Sequence, residues 1–254
     1  MERTGHYWFN IANWLIERGI DAVLVNPMTT KRNKENRDNS PSKSDPKDAI
    51  IIADVISRGY YTAFRPSDEV FRRLQVLVKN REHWVVESGR IENRITRWLD
   101  IRFPEYTKVF KEISIPRSLA TLRSFPSPSD LTSLTLEQVI EAWSEHMSRP
   151  GGTRGMRKAT QLIAIARNSV GDVCALEEDK WELQYLLDAY ERVRKIIAES
   201  DQRIQQLLPQ VPCADLIRSV GATVPATAAI LAFGGDLHEL RHGNQLLRKA
   251  GFVL

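Results

Sequence analysis

Apolar residues recur at helical spacing along most of the chain, interrupted early by one short β-rich run. Tyr7, Ile11, Trp14 and Leu15 predict a helix over residues 6–18, ended by Gly19. Asp21-Ala22-Val23-Leu24-Val25-Asn26, closed by Pro27, predicts a short buried strand. Residues 28–44 show no apolar period. They carry Lys31, Arg32, Lys34, Arg37 and Lys43 among Asn, Ser and Pro, and read as a mobile basic loop. A helix from Pro46 to about Arg58 follows, built on Ile50-Ile51-Ile52-Ala53. Helix, strand and helix in this order predict an α/β unit with a parallel sheet.

Ser67-Asp68-Glu69 opens a long helix reaching about Phe103, just before Pro104. Val70, Leu74, Leu77, Trp84, Ile91, Ile95 and Trp98 mark its apolar side, and Arg72, Arg73, Lys79, Arg81, Arg90, Arg94 and Arg97 occupy the others. Glu87 and Arg90, three apart, are placed to pair on its surface. Residues 104–134 hold four prolines and several serines and read as an irregular connector with short helices. Helices are expected over Leu136–Met147 and Arg154–Ala166, with Gly151-Gly152 between them. Leu183, Leu187, Tyr190, Ile197, Ile204 and Leu207 recur near seven-residue spacing over 176–208, ended by Pro209. That pattern suits a coiled-coil hairpin, a dimer seam, or an amphipathic helix packed on its own domain. From about Cys213 a further segment begins, with the apolar run Thr227–Ala232 and a turn at Gly234-Gly235-Asp236. The fold class is thus an α/β N-terminal part followed by a mainly α region with one long coiled-coil-like helix.

Composition narrows the class. With 254 residues, 42% apolar and 27% charged, the chain can build one large core or two small ones. No apolar run is long enough to span a bilayer and no signal peptide opens the chain. Cys174 and Cys213 match no metal or redox spacing, so a reduced, cytoplasmic setting is expected. Residues 1–110 hold 19 Lys and Arg against 15 Asp and Glu, and the remainder holds 17 of each. The whole excess of +4 therefore lies in the N-terminal part, which suits a polyphosphate partner as well as a solvated basic face.

Two patterns carry candidate chemistry. Asp45-Pro46-Lys47-Asp48 has an N-cap acid, a proline at the first helical position and an acid at the third, all explained by helix initiation. The same two carboxylates, three apart, can instead hold a divalent cation that clamps a phosphodiester. His238-Glu239-Leu240-Arg241-His242 matches H-E-x-x-H, which on a helix binds zinc and makes a metalloprotease. Gly234, Gly235 and Gly243 flank it closely, so a polar loop or short helix is the competing reading.

Taken together, several blocks resemble one family. They are Glu2-Arg3-Thr4-Gly5-His6-Tyr7-Trp8, Val23-Leu24-Val25-Asn26-Pro27, the basic loop, Lys43-Ser44-Asp45-Pro46-Lys47-Asp48-Ala49, and the segment Ile217 to Phe252. The family is the IS one-ten group of insertion-sequence transposases. The resemblance implies an RNase H-like, RuvC-like catalytic domain with four acids in the order Asp, Glu, Asp, Asp. By position Glu2 stands for the second acid, and Asp45 and Asp48 for the third and fourth, with magnesium as the metal. It further implies DNA cleavage and strand transfer, a structured guide RNA, and a homo-oligomer. On this reading residues 1–110 are a partial catalytic domain, 111–175 a helical connector, 176–208 the coiled-coil-like helix, and 213–254 the start of the second conserved domain. The family's Pro-Gly-Val-Gly turn stands here as Arg218-Ser219-Val220-Gly221. The first acid would precede Met1, and a nucleophilic serine would follow Leu254. The expectation is therefore a truncated copy, inactive alone, or a remnant that binds nucleic acid or dimerises.

Overall fold

The structure is a computed structural model that describes residues 1–2, 6–37 and 45–251, with the side chains of residues 37 and 45 left aside. Two compact units divide the chain, residues 1–68 and 69–254.

In the first unit, helix α1 spans Tyr7–Glu17, strand β1 Val23–Leu24, α2 Pro27–Arg37, α3 Asp45–Ser57 and β2 Thr62–Ala63. The strands pair antiparallel, Val23 opposite Ala63 and Leu24 opposite Thr62. Among the described residues, the expected parallel sheet is present only as one bridge, Glu2 beside Val25. The Asp21–Asn26 run is thus a strand for two residues only, although Ala22 and Val25 are buried as its pattern requires. The core is small: Val25, Ile51 and Val55, flanked by Ile52 and Ile56. Trp8 meets Phe64 edge-on at 5.5 Å.

Residues 27–37 correct the loop expectation, since they are helix α2. The initiation signal is local. Asn26 Oδ1 accepts from the Met28 N–H at 2.9 Å, and Pro27 takes the first helical position. The helix lacks apolar periodicity because its contact with α3 is polar. Asn33 donates to Asp54 at 2.9 Å and Lys34 to Asp48 at 2.7 Å. Residues 38–44 of the expected basic loop, Lys43 among them, lie outside the described residues.

The second unit is built on two long helices, α4 (Glu69–Arg102) and α9 (Leu176–Leu207). They run antiparallel. Arg81 pairs with Asp201 at 2.5 Å and Arg94 with Glu182 at 2.6 Å, and Trp98 Nε1 donates to Asp179 O at 2.9 Å. Rising numbers on one helix meet falling numbers on the other. The heptad-like stripe of α9 is therefore occupied within the chain. Leu183, Leu187 and Tyr190 pack with Ile91, Ile95 and Trp98, and Ile204 and Leu207 pack with Phe71, Leu74 and Val78. At one end Arg102, 8% exposed, bonds Asp172 at 2.9 Å and also Asp179. Glu177, Glu178 and Asp179 sit in the first turn of α9, where the helix dipole favours acids.

The connector forms α5 (Tyr106–Val109), α6 (Pro116–Ser124), α7 (Leu136–Ser144) and α8 (Gly152–Ala166), closing a core around Phe103, Tyr106, Leu122 and Trp143. Thr135 and Gln138 cap α7 reciprocally. After α9 come α10 (Ala214–Ser219), α11 (Val224–Gly234) and α12 (Gly243–Lys249). Ala214, Ile217, Ala228, Leu231 and Ala232 share a core with the ends of α4 and α9. Among the described residues no helix is long and apolar enough to cross a membrane.

Candidate functional site

In the first unit, β1 and α3 position the acids singled out by sequence. The chain start lies beside β1: the Met1 amine donates to Val23 O at 2.8 Å, and Val25 N–H donates to Met1 O at 3.0 Å. Partial burial holds that amine below its ordinary pKa. Glu2 is thereby bridged to Val25, which is 1% exposed and packs on Ile51 and Val55 of α3. Asp48 lies in the first turn of the same helix, three residues before Ile51. Backbone pairing places Glu2, and the packed helix α3 carries Asp48.

Asp48 is half-exposed, and its carboxylate holds the Lys34 ammonium at 2.7 Å. A cation of the protein itself sits where a metal would be drawn. Asp54, one face further along α3, takes Asn33 and also Arg58 at 3.1 Å. Helix α3 starts at Asp45, one residue earlier than expected, and the Asp45 side chain lies outside the described residues. So do the neighbouring blocks Arg3–Gly5 and Lys43–Ser44. Asp48 offers carboxylate oxygens of the kind magnesium takes, and here they are paired with Lys34.

The basic side of α4 is partly neutralised. Arg90 meets Glu87 at 3.2 Å, as its spacing predicts, and Arg81 and Arg94 are tied to α9. An open groove of about 710 Å³ lies where the start of α4 meets the end of α9. Arg72, Arg73 and Arg203 line it together with Glu69 and Gln206. Three guanidiniums against one carboxylate give the groove a positive field suited to phosphate oxygens.

The H-E-x-x-H stretch does not form the helix a metalloprotease needs. Leu237–Glu239 is a single 3₁₀ turn, Leu240 and His242 are extended, and α12 starts only at Gly243. The polar-loop reading of this stretch is the one realised. His238 instead meets two residues that spacing rules do not connect to it. Its Nδ1 lies 2.9 Å from Asp236 Oδ1 and 3.4 Å from Cys213 Sγ. Asp236 is held below its ordinary pKa, chiefly by the His238 backbone N–H at 2.9 Å. Among the described residues, Cys213, Asp236 and His238 are the one group of three such side chains whose ligand atoms lie within 4.8 Å of each other. The turn expected at Gly234-Gly235-Asp236 forms, with Gly235 at φ 74°, and places His238 beside Cys213, a proximity that no sequence signal indicates.

Comparison with known proteins bears on the first unit and on α4. The family of transposases of the DEDD type, IS110 group, matches residues 1–104, which span Glu2, Asp45, Asp48 and the whole of α4. A Streptomyces coelicolor protein named as a transposase for the IS117 mini-circle is 24% identical over 170 residues. That alignment covers 64% of this chain and 40% of the relative, so the chain spans less than half of that protein's length. The family match covers the stretch that holds all three acids of the expected set. Residues 1–104 are thus similar to the transposases of the IS110 group of insertion sequences.

Proposed function

We propose that the chain takes part in metal-dependent cleavage and transfer of DNA strands, with Glu2, Asp45 and Asp48 as magnesium ligands. The observation that carries this reading is the placement of Glu2 on Val25 and of Asp48 one turn before Ile51, two residues that share one core, inside the stretch that the transposase family matches. Magnesium bound there would polarise the phosphodiester and activate the attacking oxygen. The chain's own residues supply the rest. Val25 fixes the height of Glu2 against α3, and the buried face of α3 fixes Asp48. Lys34 neutralises Asp48 before the cation arrives and is then free to meet a phosphate oxygen. Lys31 and Arg32, exposed on α2, extend that positive surface.

The partners that follow are DNA and a structured guide RNA, both met through phosphates. The RNase H-like, RuvC-like fold and a homo-oligomer belong to the same proposal. Both cysteines are free thiols, which suits a reduced cytoplasmic setting. A second reading, binding without cleavage, is favoured by the Arg72, Arg73 and Arg203 groove in the other unit.

Binding of Mn²⁺ as a paramagnetic probe tests the metal site in the full chain. Asp48→Asn and Glu2→Gln are each expected to weaken binding at least tenfold. Unchanged binding in both variants refutes the assignment. For the groove, Arg73→Ala with Arg203→Ala is expected to lower the salt slope of DNA affinity by about two. An unaltered slope removes that reading.

A further inference from the structure

We propose that Cys213, Asp236 and His238 form a second metal site, for a borderline-soft divalent ion such as Zn²⁺. The site lies wholly in the unit of residues 69–254 and needs none of the carboxylates assigned above. Three observations carry it.

First, the donor spacing fits. Tetrahedral zinc with ordinary bond lengths separates a thiolate sulfur and an imidazole nitrogen by about 3.5 Å. The Sγ of Cys213 and the Nδ1 of His238 lie 3.4 Å apart. The Oδ1 of Asp236 is on the same nitrogen at 2.9 Å, and all three donors fall within 4.8 Å. A cation placed between them, with small shifts of the donors, would make three bonds and leave a fourth position open to water.

Second, the geometry does not suit the other use of Cys, His and Asp, a nucleophilic relay. In a relay the thiol and the carboxylate engage opposite ring nitrogens, so that one proton can pass along the row. Here both face Nδ1, while Nε2 stands 3.8 Å from the sulfur. One ring nitrogen within reach of both a carboxylate oxygen and a sulfur is an arrangement that a shared cation can use. On binding, the Cys213 thiol gives up its proton to solvent and His238 coordinates as the neutral ring.

Third, the backbone holds the donors in place. Cys213 has φ 64°, a left-handed conformation that residues with a Cβ rarely adopt, and it directly precedes α10. Asp236 is fixed by the N–H of His238, two residues on. The metal would tie the start of α10 to the turn after α11, two helices already in contact. Cys and His select zinc or cobalt over magnesium, so the two proposed sites take different metals.

Cobalt(II) titration of the reduced full chain tests this. One equivalent is expected to give a near-ultraviolet thiolate-to-cobalt charge-transfer band with intense tetrahedral visible bands, both abolished by added Zn²⁺. Cys213→Ser is expected to remove the charge-transfer band, His238→Ala to weaken binding at least tenfold, and Cys174→Ser to change nothing. Because an all-oxygen site gives no thiolate band, cobalt at the Asp45 and Asp48 carboxylates cannot imitate the result. Absence of the band in the wild-type chain overturns the proposal, as does a band that survives Cys213→Ser or disappears in Cys174→Ser.

Discussion

Leu187→Ala is the substitution that most directly examines how α9 is used. Leu187 has no exposed surface and lies in the core shared by α4, α9 and the short helices. Truncation removes about three carbons' worth of burial, roughly 2.4 kcal/mol at 0.8 kcal/mol per methylene. The unfilled volume adds about 1 kcal/mol or more, because long helices tied to each other by Arg81–Asp201 and Arg102–Asp179 cannot close over it. The expected loss is about 3–4 kcal/mol. For a unit of this size each kcal/mol shifts the midpoint by about 2–4 °C, so a drop of about 6–16 °C is expected by calorimetry. The drop should be the same at high and low protein concentration, since the partner of the stripe is α4 of the same chain. A loss under about 1 kcal/mol refutes the packing. A midpoint that rises with concentration only in the wild type refutes the intramolecular seam and restores a dimer.

Gly171→Ala should destabilise by about 1–3 kcal/mol, because a Cβ there would stand 2.0 Å from the Arg102 carbonyl oxygen; a midpoint within 1 °C of wild type by circular dichroism contradicts this. Glu105 is held below its ordinary pKa, although burial pulls the other way, by hydrogen bonds from Ser169 Oγ and the Val170 N–H. A depressed carboxyl contributes stability that is present above the ordinary value and lost as pH falls through the folded one. Urea midpoints of wild type and Glu105→Gln should therefore converge below about pH 4.5, and a constant gap across pH 3–7 negates the effect. Lys34→Met should tighten divalent-cation binding several-fold by freeing Asp48, and weaker binding in calorimetry would show that Lys34 does not compete there.

Where burial and period agreed, the sequence was a reliable guide. Leu74, Ile91, Ile95 and Trp98 on α4, and Leu183, Leu187 and Ile204 on α9, are the buried residues that their spacing marks. On α1 the spacing marks the helix, but its stripe is left uncovered: Tyr7, Ile11 and Trp14 are 78%, 57% and 50% exposed, while Ala12 is buried. Apolar spacing identifies a stripe, and only tertiary contact decides whether that stripe is covered. Helix α2 was invisible to periodicity because Asn33 and Lys34 bind α3 through polar atoms. Its start is nevertheless signalled by Asn26-Pro27, which serves both to close the strand and to open the helix. Glu2 is singled out only by resemblance, while the spacing of Asp45 and Asp48 suits a cap and a ligand pair equally. Cys213 and His238 are 25 residues apart, and no motif rule joins them.

The two units are held by different kinds of interaction, and this bears on where binding energy would be felt. The unit of residues 69–254 has two extended apolar cores around α4 and α9. Among the described residues, the unit of residues 1–68 has three buried aliphatic side chains in its core cluster, and α2 is joined to α3 by polar contacts around half-exposed Asp48. Regions with few buried apolar contacts open at lower free energy than the global transition. The acids proposed to bind metal therefore lie on the element with the smaller reserve. A ligand that binds only the closed form raises the apparent stability of that element by mass action. Cation binding at Glu2, Asp45 and Asp48 would then act on the first unit as a staple as well as a source of chemistry. Amide exchange in α2 and α3 should slow when Mg²⁺ is added, while exchange in the buried middle of α4 and α9 stays where it was.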